Sequence, residues 1–340
     1  MRMIRWLLVL VIICLAGCAS GPVVQEADGS KFQGITKQVG LNAVRGLEID
    51  ENAEWEFVQW RNEHAIYVIE RSTTENTLLQ YDLYTGDRQP LFTTEGAISS
   101  VTYNRLSQSF AIYYSEDPMR SYLMIATLEG EQIRLWETSA YDLFVAWSPF
   151  NADQMVVSTF QRDWTADTFL WSIKDDTRVP LQVPSPFLYW LFSDTLTYMD
   201  TTALQWNLLS LESLAPEPIS KNVLDIKQLG PYTVALERTN EGKKRSLYKQ
   251  GSFVFSTSLP SGVSRLSPMD LAIQQERMYI VENDMLVVYS LTDGSLIRQL
   301  PIQASTEKLT VSPKASWAIL HSYNEAYIVR LASGEAKPLY

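Results

Sequence analysis

The chain contains two cysteines, Cys14 and Cys18, and both lie in or beside an apolar run near its start, LLVLVIICLAGCASG at 7–21. A cysteine thiol can ligate a metal, exchange electrons, pack in an apolar helix or receive a covalent lipid. Zinc sites use about four ligands at close spacing, and the two histidines of the chain, His64 and His321, stand alone in strand-like segments. The pattern therefore favours packing or lipid attachment over a metal pair.

The start of the chain has the form of a secretory signal peptide. Arg2 and Arg5 give it a positive end, and the apolar stretch at 6–15 follows. This stretch is too short to cross a bilayer core, which needs about 20 apolar residues. We expect the stretch to direct export rather than to remain as a spanning helix.

The residues that end the stretch, LAGC at 15–18, resemble the bacterial lipobox. The resemblance implies cleavage after Gly17, a diacylglycerol thioether on Cys18 and acylation of the freed amine. Acyl chains bind membranes because each buried CH₂ contributes about 0.8 kcal/mol, and lasting attachment needs more than one chain. The alternative is an uncleaved N-terminal helix in which both cysteines are packing residues.

Three segments are expected: a lipoprotein signal peptide at 1–17, a lipid-anchored flexible tether at 18–45, and a folded domain at 46–340. Removal of the signal peptide leaves 26 basic and 39 acidic residues, a net charge of −13. A protein this acidic is not expected to bind nucleic acid, whose affinity for proteins comes largely from Lys and Arg. Anionic lipid surfaces would repel it, so the lipid on Cys18 is the predicted contact with the membrane.

Other reactive side chains fit turns better than a catalytic site. The segment 305–308 matches S-x-x-K, a serine nucleophile motif, but a match this short between two predicted strands is expected by chance. The densest acidic groups, 175–176 and 282–284, occupy predicted hairpin tips, where Asp and Asn favour turns for backbone reasons. The one basic run, Lys243 to Arg245, is expected to solvate another tip. No metal site is predicted.

A strand-like run followed by a turn recurs seven times after the tether. The central residues of these runs are Tyr81, Ile125, Trp171, Trp206, Tyr248, Tyr289 and Val329, separated by 35 to 46 residues. Four-stranded propeller blades repeat at roughly 40 to 50 residues. Ser-Pro pairs at 148–149, 267–268 and 312–313 mark the end of an inner strand, because proline cannot donate to a β-ladder and favours the first corner of a turn.

The predicted fold is therefore all-β, a seven-bladed β-propeller, with six or eight blades left open. The expected units span 51–93, 97–137, 141–183, 187–219, 222–259, 263–302 and 307–340. They resemble bacterial WD40-like and TolB-like propeller repeats, although the SPDG of that class is here SPFN, SPMD and SPKA. The unit YDLYTGDRQPLF also resembles quinoprotein repeats, but Pro90 replaces their tryptophan, so no cofactor is expected.

One face of the predicted propeller carries the candidate binding residues. Loops between the second and third strands share this face with the loops between blades. In the third unit they present Trp164 beside Arg162 and Asp163, flanked by Tyr141 and Phe187. Trp and Tyr dominate binding hot spots, so these aromatic residues are expected to form one patch, unless Trp164 folds back over its own blade.

The expected function is that of a lipid-anchored, extracytoplasmic and non-catalytic binding or scaffolding module for an envelope protein or glycan. The alternative is a glycan hydrolase or lyase that uses paired carboxylates from channel loops. The expected location is the cell envelope, facing outside the cytoplasm. Ala19 after the cysteine would permit passage to an outer membrane in a host that has one.

Overall fold

The structure, a computed structural model, describes residues 40–48, 53–117, 120–259, 271–282, 284–302, 308–322 and 325–339. These residues form 28 β-strands and one short 3₁₀ helix, Leu41–Ala43. None of the helical structure described is long and apolar enough to span a bilayer. The expected cleavage site, the lipid-bearing Cys18 and the Ser-Pro pair at 267–268 lie outside the described residues.

The strands form seven sheets of four. Blade 1 contains β1 (Glu54–Trp60), β2 (Ala65–Arg71), β3 (Asn76–Asp82) and β4 (Arg88–Thr94); blade 2 contains β5 (Ala97–Asn104), β6 (Ser109–Asp117), β7 (Arg120–Thr127) and β8 (Gln132–Thr138). Blade 3 contains β9 (Asp142–Trp147), β10 (Gln154–Phe160), β11 (Ala166–Ser172) and β12 (Thr177–Leu181); blade 4 contains β13 (Tyr189–Phe192), β14 (Thr195–Asp200), β15 (Gln205–Ser210) and β16 (Pro216–Lys221).

The remaining blades follow the same plan. Blade 5 contains β17 (Val223–Leu229), β18 (Tyr232–Thr239), β19 (Gly242–Lys249) and β20 (Ser252–Ser258); blade 6 contains β21 (Leu271–Gln274), β22 (Arg277–Glu282), β23 (Met285–Ser290) and β24 (Leu296–Pro301). Blade 7 contains β25 (Lys308–Val311), β26 (Trp317–His321), β27 (Ala326–Arg330) and β28 (Ala336–Pro338).

Each blade is an antiparallel meander whose strands pair in chain order. Because neighbouring strands run in opposite directions, loops between second and third strands lie at the same end of the blade as loops between successive blades. We call this end the upper face. The fourth strands are the most exposed, so they form the rim and the first strands face the axis.

The hydrophobic core lies between the blades. Seven clusters of buried side chains occur among the described residues, and each one draws mainly on two adjacent blades, including blades 7 and 1. The residues of the repeating column lie in the third strands, and all but Tyr289 are buried. The all-β fold class and the seven-bladed propeller are therefore confirmed.

The ring closes by side-chain contacts between blades 1 and 7. The Trp60 indole donates to Thr310 Oγ1 at 3.1 Å. The Lys308 ammonium donates to the carbonyl of Phe57 at 2.7 Å, and the Ser312 hydroxyl donates to the nearly buried Glu63 at 3.0 Å. Ser312 also accepts from the Trp317 N–H at 3.0 Å, so the serine of this Ser-Pro pair shapes its turn and joins two blades.

Residues 40–48 reinforce this closure. The Leu47 N–H donates to the carbonyl of Leu339 in blade 7 at 2.6 Å, and the Arg45 N–H donates to that of Leu83 in blade 1 at 2.7 Å. Val44 is 1% exposed in the cluster that joins both blades. The expected limit between tether and propeller, near residue 45, thus falls inside a packed segment.

Candidate functional site

Three exposed aromatic side chains meet at the upper face of blade 3. Trp164, Tyr141 and Phe187 are 65%, 61% and 51% exposed, and the first two are the most exposed large hydrophobic side chains among the described residues. The ring of Phe160, at the end of β10, lies 6.1 Å from Trp164 and 5.4 Å from Phe187. Tyr141 lies 6.0 Å from Trp164. The structure therefore brings together the three aromatic residues that the sequence placed on one face.

The cluster continues inward along the first strands of blades 3 and 4. The ring of Phe144 in β9 lies 5.5 Å from Phe187 and 5.5 Å from Tyr189 in β13. Six rings thus form a continuous chain, which we call the aromatic row: Tyr141, Trp164, Phe160, Phe187, Phe144 and Tyr189. Sequence reasoning missed Phe144, Phe160 and Tyr189, because their strand patterns gave no sign of which rings would meet across loops.

Trp164 occupies an unusual backbone conformation. The Gln161 N–H donates to the carbonyl of Thr165, and the Trp164 N–H donates to that of Gln161, both at 2.9 Å. This tight turn places Trp164 at φ +64°, in the left-handed region that glycine and asparagine favour. A bulky aromatic residue there is an outlier. Its ring is held at the surface and does not fold back into its blade.

The loop that carries Tyr141 is tied to its neighbours. The Tyr141 N–H donates to the carbonyl of Phe160 at 2.8 Å. The preceding residue, Ala140, is buried, and its carbonyl accepts from the Tyr113 hydroxyl of blade 2 at 3.0 Å. The exposed Tyr141 ring therefore stands on a backbone fixed by two blades.

The loop that carries Phe187 is equally constrained. The fully buried Ser158 of β10 donates its hydroxyl to the carbonyl of Pro186 at 2.6 Å. Ser158 also hydrogen-bonds Thr168 at 2.8 Å. Pro184 and Pro186 restrict the backbone before Phe187. Phe187 is thus held in a stacked position against Phe160 before any partner arrives.

Carboxylates flank the aromatic row. Asp142 pairs across the strands with Phe160, so the two side chains lie on one face of the blade. Asp163 precedes Trp164, and hydrogen bonds from Thr165 hold the pKa of Asp163 below its ordinary value. At the inner end, burial and then the charge of Asp225 raise the pKa of Tyr189. The exposed Arg162 supplies an opposing charge beside the turn.

At the acidic hairpin tip, 175–176, Asp176 is engaged in packing contacts within its blade. The Asp176 carboxylate accepts from the Trp171 indole at 3.0 Å and from Arg178 at 3.2 Å. The hydrogen bond from Arg178, with that from Trp171, lowers the pKa of Asp176. Its role is to close the hairpin over the buried Trp171. No group of three or more His, Cys, Asp or Glu side chains suited to a metal occurs in the part of the chain that the structure describes.

The expectation for the basic run was wrong. Lys244 and Arg245 lie within β19 and form ion pairs, Lys244 with Glu237 at 3.0 Å and Arg245 with Glu282 at 2.5 Å. Arg245 is buried, and Glu237 is 4% exposed. The cations were missed because the acids that they pair with come from the neighbouring strand β18 and from blade 6.

Glu237 is the centre of a buried polar cluster. It accepts from the hydroxyls of Ser246, Tyr248 and Ser220 at 2.5, 2.8 and 3.0 Å, besides the pair with Lys244. Burial alone would raise the pKa of Glu237, but these hydrogen bonds lower it. Burial, together with the hydrogen bond to Glu237, raises the pKa of Tyr248 to about 12. The cluster joins blades 4 and 5 and has a structural character.

The histidines and the S-x-x-K segment do not contribute to the aromatic row. His64 lies in the exposed turn between β1 and β2, not on a strand, and its ring is 5.2 Å from Tyr84. His321 ends β26 in blade 7. Of the segment 305–308, only Lys308 is among the described residues. Burial lowers its pKa, and its ammonium belongs to the ring closure.

Comparisons with known proteins agree with this architecture. The chain is 22% identical over 295 residues to a Bacillus subtilis (strain 168) protein described as the uncharacterized lipoprotein YqgU, covering 82% of each chain. It is similar to the crystal structure of the uncharacterized protein lmo1340 from Listeria monocytogenes EGD-e, with a TM-score of 0.76, 14% identity and coverage of 87% of this chain and 97% of that one. An oligogalacturonate lyase in complex with manganese gives a TM-score of 0.57 at 11% identity, covering 85% and 98%.

The two solved structures share the fold at low identity. The family model for the YqgU-like 6-bladed β-propeller domain matches residues 82–264, more than half of the chain. That description gives six blades, whereas seven four-stranded sheets occur in the described ranges of this chain. The matched region contains the whole of blades 2 to 5, and with them the aromatic row. The chain therefore belongs to the YqgU-like β-propeller domain family.

Proposed function

We propose that this protein is a lipid-anchored binding module of the bacterial cell envelope, and that the aromatic row is its contact surface. The observation that carries the proposal is the arrangement of Tyr141, Trp164 and Phe187, three exposed rings that share one surface and stand on backbone fixed by hydrogen bonds. The proposed lipid anchor is supported by the lipobox-like LAGC at 15–18 and by the similarity to a described lipoprotein.

The anchor follows from the chemistry of Cys18. Acylation of the thiol and of the freed amine would supply more than one chain, which is what stable membrane attachment requires. Mass analysis of the mature N-terminus tests this: lipid on Cys18 is expected, and a chain that begins at Met1 would contradict it. Cys18→Ala is expected to accumulate as precursor or to leave the membrane fraction. Cys14→Ala is the matched control and should be processed normally.

A binding role explains why large rings stay in water. Exposing apolar area costs about 25 cal/mol per Å², and the left-handed backbone of Trp164 adds strain. Such an outlier is a reason to look for function. Binding a partner would offset the free energy of exposing these rings, because rings that are already ordered lose little entropy on binding. Trp and Tyr are also enriched among interface residues whose truncation to alanine costs about 2 kcal/mol or more of binding free energy.

The acids with resolved pKa changes support a non-catalytic role. Hydrogen bonds lower the pKa of Asp163, Asp176 and Asp293, and they outweigh burial at Glu237. All four are therefore anions that stabilise turns or blade contacts. A glycosidase acid needs the opposite change, a raised pKa that keeps its proton near neutral pH.

Crosslinking in native envelopes tests the proposal. A photoreactive residue in place of Arg162, beside the row, should capture a defined envelope component. Adding Trp164→Ala or Tyr141→Ala should abolish the crosslinked product without loss of the folded protein. Phe253→Ala is the matched control, because Phe253 is 57% exposed but lies on β20 of blade 5. Equal capture by wild type and by both row variants would show that the row is not the contact surface.

A further inference from the structure

The shape of the aromatic row decides what can lie on it. Most neighbouring rings meet edge to face: the interplanar angle is 83° between Tyr141 and Trp164, 81° between Phe144 and Phe187, and 85° between Phe144 and Tyr189. In the middle of the row Phe187 is instead stacked on the buried Phe160, at 30°. An edge-to-face arrangement gives a corrugated surface, in which the edge of one ring stands against the face of the next. Protruding side chains fit such clefts, whereas stacked sugar rings need open, flat platforms.

The charges along the row are mostly negative. Asp142 lies beside Phe160, Asp163 beside Trp164, and Asp225 close enough to Tyr189 to act on its charge. Asp142 and Asp163 are exposed. Asp142 accepts a hydrogen bond from the Leu143 N–H, and Asp163 accepts from the N–H and the hydroxyl of Thr165. Against these carboxylates stands the guanidinium of Arg162.

The net charge of the whole chain is also negative. The predicted mature chain has a net charge of −13, so its field attracts cations and repels anions over distances of about a Debye length. An acidic envelope polymer would meet repulsion at the row. A neutral glycan would gain hydrogen bonds from the carboxylates but no attraction between opposite charges. A segment that alternates apolar and cationic side chains satisfies both the rings and the acids, because cations also bind favourably over Trp and Tyr faces.

We propose that the aromatic row binds an extended cationic segment of a partner protein, with apolar side chains in the clefts between rings and Lys or Arg beside Asp142 and Asp163. This rests on the proposed function, since it names the ligand of the same surface. The segment would lie along the row, which runs from Tyr141 through Trp164, Phe160, Phe187 and Phe144 to Tyr189.

Binding of synthetic peptides to the full-length chain in zwitterionic nanodiscs tests the proposal, with empty nanodiscs as the blank. The probes are a short peptide in which Lys alternates with Leu and Trp, and two analogues in which Gln or Glu replaces every Lys. The Lys peptide should bind at least about fivefold more tightly than the Gln peptide at low salt, and this ratio should shrink at high salt. The Glu peptide should bind most weakly.

Three variants assign the effect to the row. Asp142→Asn with Asp163→Asn keeps both side-chain oxygens that accept hydrogen bonds but removes two charges, so affinity for the Lys peptide should fall about fivefold while the Gln peptide is unaffected. Arg162→Glu should tighten binding of the Lys peptide about threefold, a gain that misfolding cannot imitate. Trp164→Ala should weaken both the Lys and the Gln peptides.

The outcomes separate the two proposals. Equal affinity for the Lys and Gln peptides, or no change in the double Asn variant, would overturn the cationic ligand. Binding of a neutral N-acetylglucosamine oligomer that needs Trp164 but ignores the Asp substitutions would replace the peptide by a glycan and leave the proposed function standing. If Trp164→Ala alters neither peptide binding nor envelope crosslinking, both proposals fail.

Discussion

Trp164 gives a direct test of the strained turn, because two substitutions remove the same ring but differ in backbone freedom. Trp164→Ala and Trp164→Gly both lose the contacts with Tyr141 and Phe160. Alanine keeps a Cβ, which collides with the backbone at φ +64°, whereas glycine has none. The difference in stability between the two variants therefore contains the backbone strain and the entropy difference of the unfolded chain, but not the loss of the ring.

The sign of that difference reverses between ordinary and left-handed positions. At a position with negative φ, alanine is more stable than glycine by about 0.4–1 kcal/mol because it restricts the unfolded chain. A left-handed backbone costs a residue with a Cβ roughly 1–2 kcal/mol. Subtracting the first term from the second leaves glycine the more stable variant at position 164 by about 1 kcal/mol.

Urea unfolding of the full chain, followed by circular dichroism, measures this difference. Trp164→Gly is expected to have the higher midpoint, and its Tm should exceed that of Trp164→Ala by about 2 °C. Phe150, an exposed aromatic residue in a turn at the opposite end of the same blade, is the matched control, because its backbone is not among the positive-φ positions. There, alanine should be the more stable variant. An alanine variant at 164 as stable as glycine would refute the left-handed turn.

Three further predictions concern the scaffold. Glu237→Gln should destabilise the protein by about 2 kcal/mol at neutral pH. Because the folded pKa of Glu237 is lowered, the stability that its carboxylate contributes is present above the unfolded pKa and is lost as pH falls through the folded pKa. In an acid titration of Tm, wild type but not the variant should therefore lose this stability. Arg178→Ala should cost about 1 kcal/mol in urea unfolding, because the guanidinium lies 4.9 Å from Trp136 and 5.1 Å from Trp171; Arg178→Lys should recover only part, and full stability of the alanine variant would contradict the stacking. Glu63→Ala should increase hydrogen exchange in blades 1 and 7 before the other blades, since Glu63 accepts from Ser312 and from the Lys314 N–H across the closure; uniform exchange would argue against a local seam.

Much of the fold could be predicted from the sequence because the repeat is local. Each unit buries the centre of its third strand, so the column from Tyr81 to Val329 recurs at the spacing of a blade. Ser148 shows the same locality: its hydroxyl accepts from the N–H groups of Phe150 and Asn151, and the following proline ends the strand. Patterns of this kind depend on a few neighbouring residues, so they predict strand ends and turns without knowledge of the tertiary structure.

The sequence was less informative where partners come from distant positions. Lys244 and Arg245 looked like a solvated tip because the sequence does not show that Lys244 stands opposite Glu237 across the hairpin, or that Arg245 reaches Glu282 in the next blade. Val44 looked like part of a tether because the cluster that buries it includes blades 1 and 7, whose residues are separated along the chain by more than two hundred positions.

By itself, the sequence determined the class of the molecule: the repeat length sets the blade, the count of repeats predicts seven blades with six or eight left open, and aromatic residues in loops mark one face. Only the tertiary structure decided which rings meet. Phe160 links Trp164 to Phe187, and Phe144 extends the row to Tyr189, through loops anchored by Ser158 and Tyr113. The physical reason is that strand periodicity depends on neighbours along the chain, whereas a binding surface depends on distances between side chains that only the closed ring of blades fixes.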